Sequence, residues 1–332
     1  MSRSGLKALQ SPEYRSGAVA KCVNNGWTYR EQIDRSAQGL TVLDYYTQRY
    51  RHSSRAEWAD RIQSGQILLD EVATTAETRL LAGQRLSYRR SPWQEPEVPL
   101  TFEVLYEDAD LMVVAKPSGL PVLPGGGFLE HTLLWQLQQR YPAETPLPIH
   151  RLGRGTSGLL LLARSPAARA HLSQQLRENT LKPLHDRPMH KIYRALVQGN
   201  PPDDRFTITE PIGKQPHPVL GYVYAALPQG TFAQSDCQVL RRDTKTALIE
   251  VSILTGRPHQ IRIHLAAAGY PLVGDPLYAI GGLPITCTPS DRGILPVPGD
   301  CGYHLHALHL TFVHPHGHSM MFTCSPPALL EC

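Results

Sequence analysis

Pro148-Ile149-His150-Arg151-Leu152-Gly153-Arg154-Gly155-Thr156-Ser157-Gly158-Leu159-Leu160-Leu161-Leu162-Ala163-Arg164 is the stretch on which the reading of this chain turns. Its glycines at 153, 155 and 158 lead into an unbroken apolar run, Leu159 to Ala163. A short apolar run behind a turn signal predicts a buried strand. The glycines also spell Gly-x-Gly-x-x-Gly. A dinucleotide site needs those glycines to follow a strand and open a helix, and here they open a strand. A kinase-type glycine loop does lie between strands, but the chain carries neither a kinase catalytic loop nor Asp-Phe-Gly. Ser157 sits in Gly-Thr-Ser-Gly, which is not a Gly-x-Ser-x-Gly elbow.

Outward from this stretch, other compact motifs follow in order. Lys116-Pro117-Ser118-Gly119-Leu120 lies before it. After it come Lys191-Ile192-Tyr193-Arg194-Ala195 and Thr255-Gly256-Arg257-Pro258-His259-Gln260-Ile261-Arg262-Ile263-His264. Gly274-Asp275-Pro276-Leu277-Tyr278 and Leu305-His306-Ala307 close the series, with Phe312-Val313-His314-Pro315 behind them. Taken singly, Tyr193 reads as a packed strand residue, Arg262 as a surface helix residue and His150 as the partner of a buried carbonyl. Taken together and in order, they read as a site.

The series resembles the RluA-type RNA pseudouridine synthases, over about residues 100–320. That family's central signature is His-Arg-Leu-Asp-x-x-Thr-Ser-Gly, and its catalytic aspartate falls on Gly153. The resemblance implies isomerisation of uridine to pseudouridine in ribosomal or transfer RNA, with no cofactor and no metal. It implies that Tyr193 stacks on the flipped base and helps remove the C5 proton, and that Arg262 pairs with the catalytic acid and holds it ionised. Lys116, Arg151, Arg257 and His259 are then phosphate and substrate contacts. Glycine carries no carboxylate, so Arg262 is expected to lose its partner, and an unpaired buried charge costs several kcal/mol. Another acid, a water or anion, or a relaxed site must answer for that. Asp186 is the candidate acid. The alternative reading is a non-catalytic RNA-binding protein that keeps the synthase fold.

The front of the chain adds a second module. Val42, Leu43, Tyr46 and Tyr50 fall near helical spacing, and Ser54 with Glu57 forms a capping pair ahead of Trp58 and Ile62. Gly65 ends that helix, Ile67-Leu68-Leu69 reads as a strand, and Leu80 to Tyr88 as a turn into another. Two short helices and strands with Arg55, Arg61 and Arg85 resemble an S4-type RNA-binding module. Asp70-Glu71 stands where that module has a small polar turn. Residues 1–92 hold 14 Lys and Arg against 9 Asp and Glu, while the remainder holds 19 against 20. A basic front on a near-neutral body suits a polyanion.

The expected organisation is an N-terminal extension (1–40), an S4-like module (41–92), a linker (93–100) rich in proline, and a pseudouridine-synthase-like domain (101–332). The fold class is α+β: a mixed, largely antiparallel sheet with flanking helices behind a small α/β module. Helices are expected from Thr132, from Ser165-Pro166 to about Glu178, and from Pro258 through Ala268. Strands are expected at 111–115, 192–197 and 247–254. Six cysteines stand far apart, without zinc spacing, which points to reduced thiols and a cytoplasmic protein. The histidines from His304 to His318 read as a partly exposed strand, not a metal site. Neither a membrane-spanning apolar run nor an oligomerisation signal is seen, so a monomer is the default.

Overall fold

The computed structural model describes residues 23–179, 188–217, 220–285 and 296–332. The front module contains β1 (Trp27–Gln32), α1 (Val42–Arg49), α2 (Arg55–Gln63), β2 (Ile67–Leu69), β3 (Val72–Ala73) and β4 (Arg85–Arg90). Thr41 caps α1 by accepting the Asp44 N–H. Ser54 and Glu57 cap α2 reciprocally, satisfying amides that the first turn leaves orphaned. Val42, Tyr45 and Tyr46 face inward at helical spacing, and so do Trp58 and Ile62. With Ile67, Leu80 and Leu86 they form the core of the module.

The strands run antiparallel in the order β1-β4-β2-β3. Asp70 and Glu71 join β2 to β3 with φ of 50° and 63°, the left-handed geometry of a tight hairpin turn. The Asp70 carboxylate accepts the Arg85 N–H, and Glu71 accepts the Ser87 hydroxyl, which holds this uncommon pair in place. One expectation needs correction. Residues 1–40 were expected to lie outside the module, yet β1 pairs with β4 along its whole length. An edge strand is held by backbone bonds on one side, so it needs no apolar alternation, and Trp27 and Tyr29 stay exposed.

The body contains β5 (Glu103–Glu107), β6 (Leu111–Lys116), α3 (Leu133–Arg140), β7 (Leu147–Pro148), β8 (Ser157–Ala163) and α4 (Pro166–Glu178). There follow β9 (His190–Gln198), β10 (Arg205–Ile208), β11 (Ile212–His217), β12 (Gly221–Ala226), β13 (Ser235–Arg242), β14 (Thr246–Ile253), α5 (Gln260–Ala267), β15 (Leu305–Val313) and β16 (Ser319–Thr323). The main sheet runs β10-β13-β14-β9-β15-β8-β6-β5, with β16 on β15 and β7 on β8. Its neighbours are antiparallel except β8 and β15. Gly158 makes that parallel contact work: its φ is +101°, and a Cβ there would land on the Ala307 backbone. β11 and β12 form a separate hairpin. The class is therefore α+β with a largely antiparallel sheet.

Ser165 and Pro166 open α4 as their types predict, and Thr132 caps α3. The leucines of β8 and the apolar run of β6 are buried across from each other. Each such side chain contributes about 1.5–3 kcal/mol by leaving water. The helix expected from Pro258 starts at Gln260 instead, because His259 adopts φ +55° and cannot belong to it. His306 is buried within β15: its Nε2–H donates to the Cys324 carbonyl, and its Nδ1 accepts from Ser157. No helix among the described residues is long and apolar enough to cross a membrane.

The proline-rich linker lacks regular structure but is not loose. Glu95 is 4% exposed. Its carboxylate accepts the N–H groups of Leu129, Glu130 and His131 at 2.7, 2.9 and 3.0 Å, and the Asn24 side chain at 2.7 Å. Burial alone would raise its pKa, but these donors outweigh it and hold the carboxyl below its ordinary value. Trp93 donates its indole N–H to the Gly127 carbonyl. The linker thus ties the front module to the turn ahead of α3.

Candidate active site

The glycines at 153 and 155 lie in the loop between β7 and β8, where the sheet delivers its buried strand. Lys116 anchors this loop. Its ammonium donates to the carbonyls of Pro117 and Leu120 at 2.8 Å and to that of Arg154 at 3.2 Å. An ammonium has three protons, and all are used. Lys116 was expected to meet phosphate; buried and fully engaged, it supports the loop instead.

Helix α5 turns Arg262 inward, where it is 2% exposed. It was expected to have lost its partner, and the structure supplies one. Asp275 accepts the Arg262 Nε–H and Nη2–H at 2.7 Å each, a bidentate pair with the acid side chain 1% exposed. Asp275 Oδ1 also accepts the backbone N–H of Leu277 and of Tyr278. Arg262 Nη1–H donates to the Pro298 carbonyl at 3.2 Å. The candidate replacement acid, Asp186, lies outside the described residues.

Two tyrosine rings flank this pair. The Arg262 guanidinium carbon lies 4.3 Å from the Tyr303 ring centre and 5.0 Å from that of Tyr278, within cation–π range. Tyr303 is 4% exposed, and its ring fills the space that the two glycines leave. A Cβ at Gly153 would stand 2.6 Å from the Tyr303 hydroxyl, and a Cβ at Gly155 would stand 2.9 Å from the ring. Among the described residues, the hydroxyl meets only the Thr156 hydroxyl, at a long 3.4 Å. Burial raises the Tyr303 pKa, and the Arg262 charge opposes that rise.

His259 is held in left-handed geometry just before α5, a conformation costing of order 1–3 kcal/mol in a non-glycine residue. The Tyr278 hydroxyl gives its proton to the Tyr224 carbonyl. His259 Nδ1, 2.8 Å from that hydroxyl, must therefore be the donor, which leaves Nε2 as the acceptor nitrogen. Burial, then the Arg262 charge, push its pKa down to about 3, so it is neutral near pH 7.

The other residues picked out by motif lie on neighbouring strands and loops of the body or in the front module. Tyr193 is buried in β9 opposite Ala307, the residue that pairs with Gly158. Burial raises its phenol pKa too. Lys191 Nζ lies 3.5 Å from where a Gly256 Cβ would be, beside Arg257. Burial brings Lys191 down to about 8. His150 accepts the Leu161 N–H through Nε2, a backbone donor where a carbonyl was expected. Arg257 spends its Nε–H on the Phe232 carbonyl, and Arg151 is exposed. Arg55, Arg61 and Arg85 lie in the front module. Arg55 pairs with Asp44, and Arg61 packs on Trp58 and donates to Ser53. The Arg85 side chain is exposed, without a partner among the described residues.

Motif reading missed the roles of Asp275 and Tyr303. Asp275 stood inside a quoted motif, Gly-Asp-Pro-Leu-Tyr, without a partner assigned. For Tyr303 the signal was indirect: two glycines where side chains were due mean that something distant fills their volume.

The family model described as RNA pseudouridylate synthase matches residues 110–267. An uncharacterized RNA pseudouridine synthase of Synechocystis sp. is 50% identical over 275 residues, covering 83% of this chain and 90% of that protein. RNA pseudouridine synthase 5 of Arabidopsis thaliana is 42% identical over 338 residues, covering 90% and 92%. Among solved structures, human RNA Pseudouridylate Synthase Domain Containing 1 aligns with a TM-score of 0.53 at 24% identity, over 71% of this chain and 89% of that one. That likeness is one of fold.

Proposed function

The chain belongs to the RNA pseudouridylate synthase family, and from that premise we propose that it converts uridine to pseudouridine in ribosomal or transfer RNA with the altered centre it has. The observation that carries this reading is the intact Arg262–Asp275 pair. A site drifting free of function gains nothing from a buried ion pair in which each guanidinium nitrogen has an acceptor, because hydrophobic replacement of such a pair is often neutral or stabilising. Tyr193 then stacks on the flipped base, while Arg151, Arg257 and His259 meet the RNA backbone. The front module, with Arg61 and Arg85, adds phosphate contacts. The cysteines found free at 237, 301, 324 and 332 suit a reducing, cytoplasmic setting.

The experiment is pseudouridine formation by the purified protein on unmodified RNA, read by mass spectrometry. Product supports the proposal. Gly153 favours a second reading, an RNA-binding protein without chemistry. RNA bound with no pseudouridine formed on any RNA selects that second reading.

A further inference from the structure

In a chain that forms pseudouridine, some group must do the work that no side chain at 153 can do. The described residues offer few choices. Asp275 spends both oxygens on Arg262, and Oδ1 accepts two backbone amides besides. His259 has an acceptor nitrogen, but a group brought down to about 3 is a weak base near pH 7. Burial brings Lys116 down to about 7, but its nitrogen is tied to three backbone carbonyls. Tyr303 differs from all of these. Its hydroxyl lies 2.6 Å from where a residue-153 Cβ would stand, and Gly153 is only partly buried. Its one polar neighbour among the described residues is distant at 3.4 Å. A fixed cation lies against its ring.

We propose that the Tyr303 phenol occupies the post left by Gly153, touching the reacting nucleotide and carrying the proton of the isomerisation. The proposal rests on the reading that the chain is an active synthase. Converting uridine to pseudouridine breaks C1′–N1, forms C1′–C5, and moves one proton from C5 to N1. The phenol O–H donates to N1 as the C1′–N1 electron pair leaves with the base. The base turns, and C5 supplies the pair for the new bond to C1′. The phenolate, with the Arg262 guanidinium against its ring, takes the C5 proton, and the phenol is restored. No oxidant or co-reactant enters. Tyr193 is left the stacking role alone. A phenol starts protonated near pH 7, as the first donor in this order of events must.

The test is Tyr303→Phe, which keeps the ring over the two glycines and removes one oxygen. Pseudouridine formation at saturating RNA is expected to fall by about 100-fold or more, the scale of one lost general acid. RNA affinity and the thermal midpoint should stay near those of the unaltered protein. A fluorinated tyrosine at 303, with a more acidic phenol, should bring the alkaline fall in rate to lower pH. A fully active Tyr303→Phe protein overturns the proposal and leaves the family reading standing. So does a variant whose defect lies only in RNA affinity, since that makes Tyr303 a binding contact. If the unaltered protein forms no pseudouridine on any RNA, the activity reading fails first and the proposal falls with it.

Discussion

At the scale of single residues, the site is a problem of volume and charge solved together. Gly153 and Gly155 remove side chains, and Tyr303 takes their space against Arg262. Putting the acid back with Gly153→Asp alone should therefore not restore a family-type centre. The new Cβ meets the Tyr303 hydroxyl at 2.6 Å, and overpacking of this kind costs about 1–3 kcal/mol. Urea unfolding should show that loss. Combining the change with Tyr303→Ala should relieve part of it, giving a coupling of about 0.5–3 kcal/mol in a double-mutant cycle. The charge side is tested by Asp275→Asn, which leaves the Arg262 guanidinium buried without its anion. A loss of about 3–5 kcal/mol is expected, read from the same unfolding curves. An unchanged midpoint would mean that Arg262 finds another partner.

At the scale of elements, the linker shows how a segment without helix or strand can still be rigid. Prolines at 92, 96 and 99 prevent regular structure, and Glu95 then serves as a buried acceptor for three successive amides ahead of α3. Glu95→Gln keeps the shape and loses the charge, so about 1–3 kcal/mol of stability should go at pH 7. The folded-state pKa of Glu95 lies below its ordinary 4.5, so its contribution is full above that value and fades as pH falls through the folded pKa. The gap between variant and unaltered protein should therefore close on acidification. A gap that widens in acid would contradict the assignment. Nothing in the composition of 93–100 announced this latch, since a carboxylate among prolines looks the same whether solvated or docked. The helices α1 to α4, by contrast, were legible, α1 from its apolar spacing and the others from Ser54, Thr132 and Ser165, which act on amides three residues away.

At the scale of the whole molecule, an arginine-bearing front module is tied to the synthase-like body, and its free cations should govern how RNA affinity responds to salt. Arg85 is exposed without a partner among the described residues, whereas Arg55 is committed to Asp44 at 2.7 Å. Arg85→Ala should weaken binding and lower the slope of log affinity against log salt by about 1. Arg55→Ala should change the slope less. Equal effects of the two changes, measured by filter binding across salt, would remove the distinction drawn from the ion pair.

The sequence by itself determined the family, the fold class, the starts of the first four helices and the buried strand behind Gly158, because each rests on residue type at short spacing. The glycine at 153, where the resemblance implies a carboxylate, was equally plain in it. Only the tertiary structure decided what answers that absence. Asp275 reaches Arg262 across 13 residues, and Tyr303 fills a gap about 150 positions before it in the chain. Close packing and charge pairing act through space without regard to position along the chain, so neither partner leaves a pattern in the residues beside it.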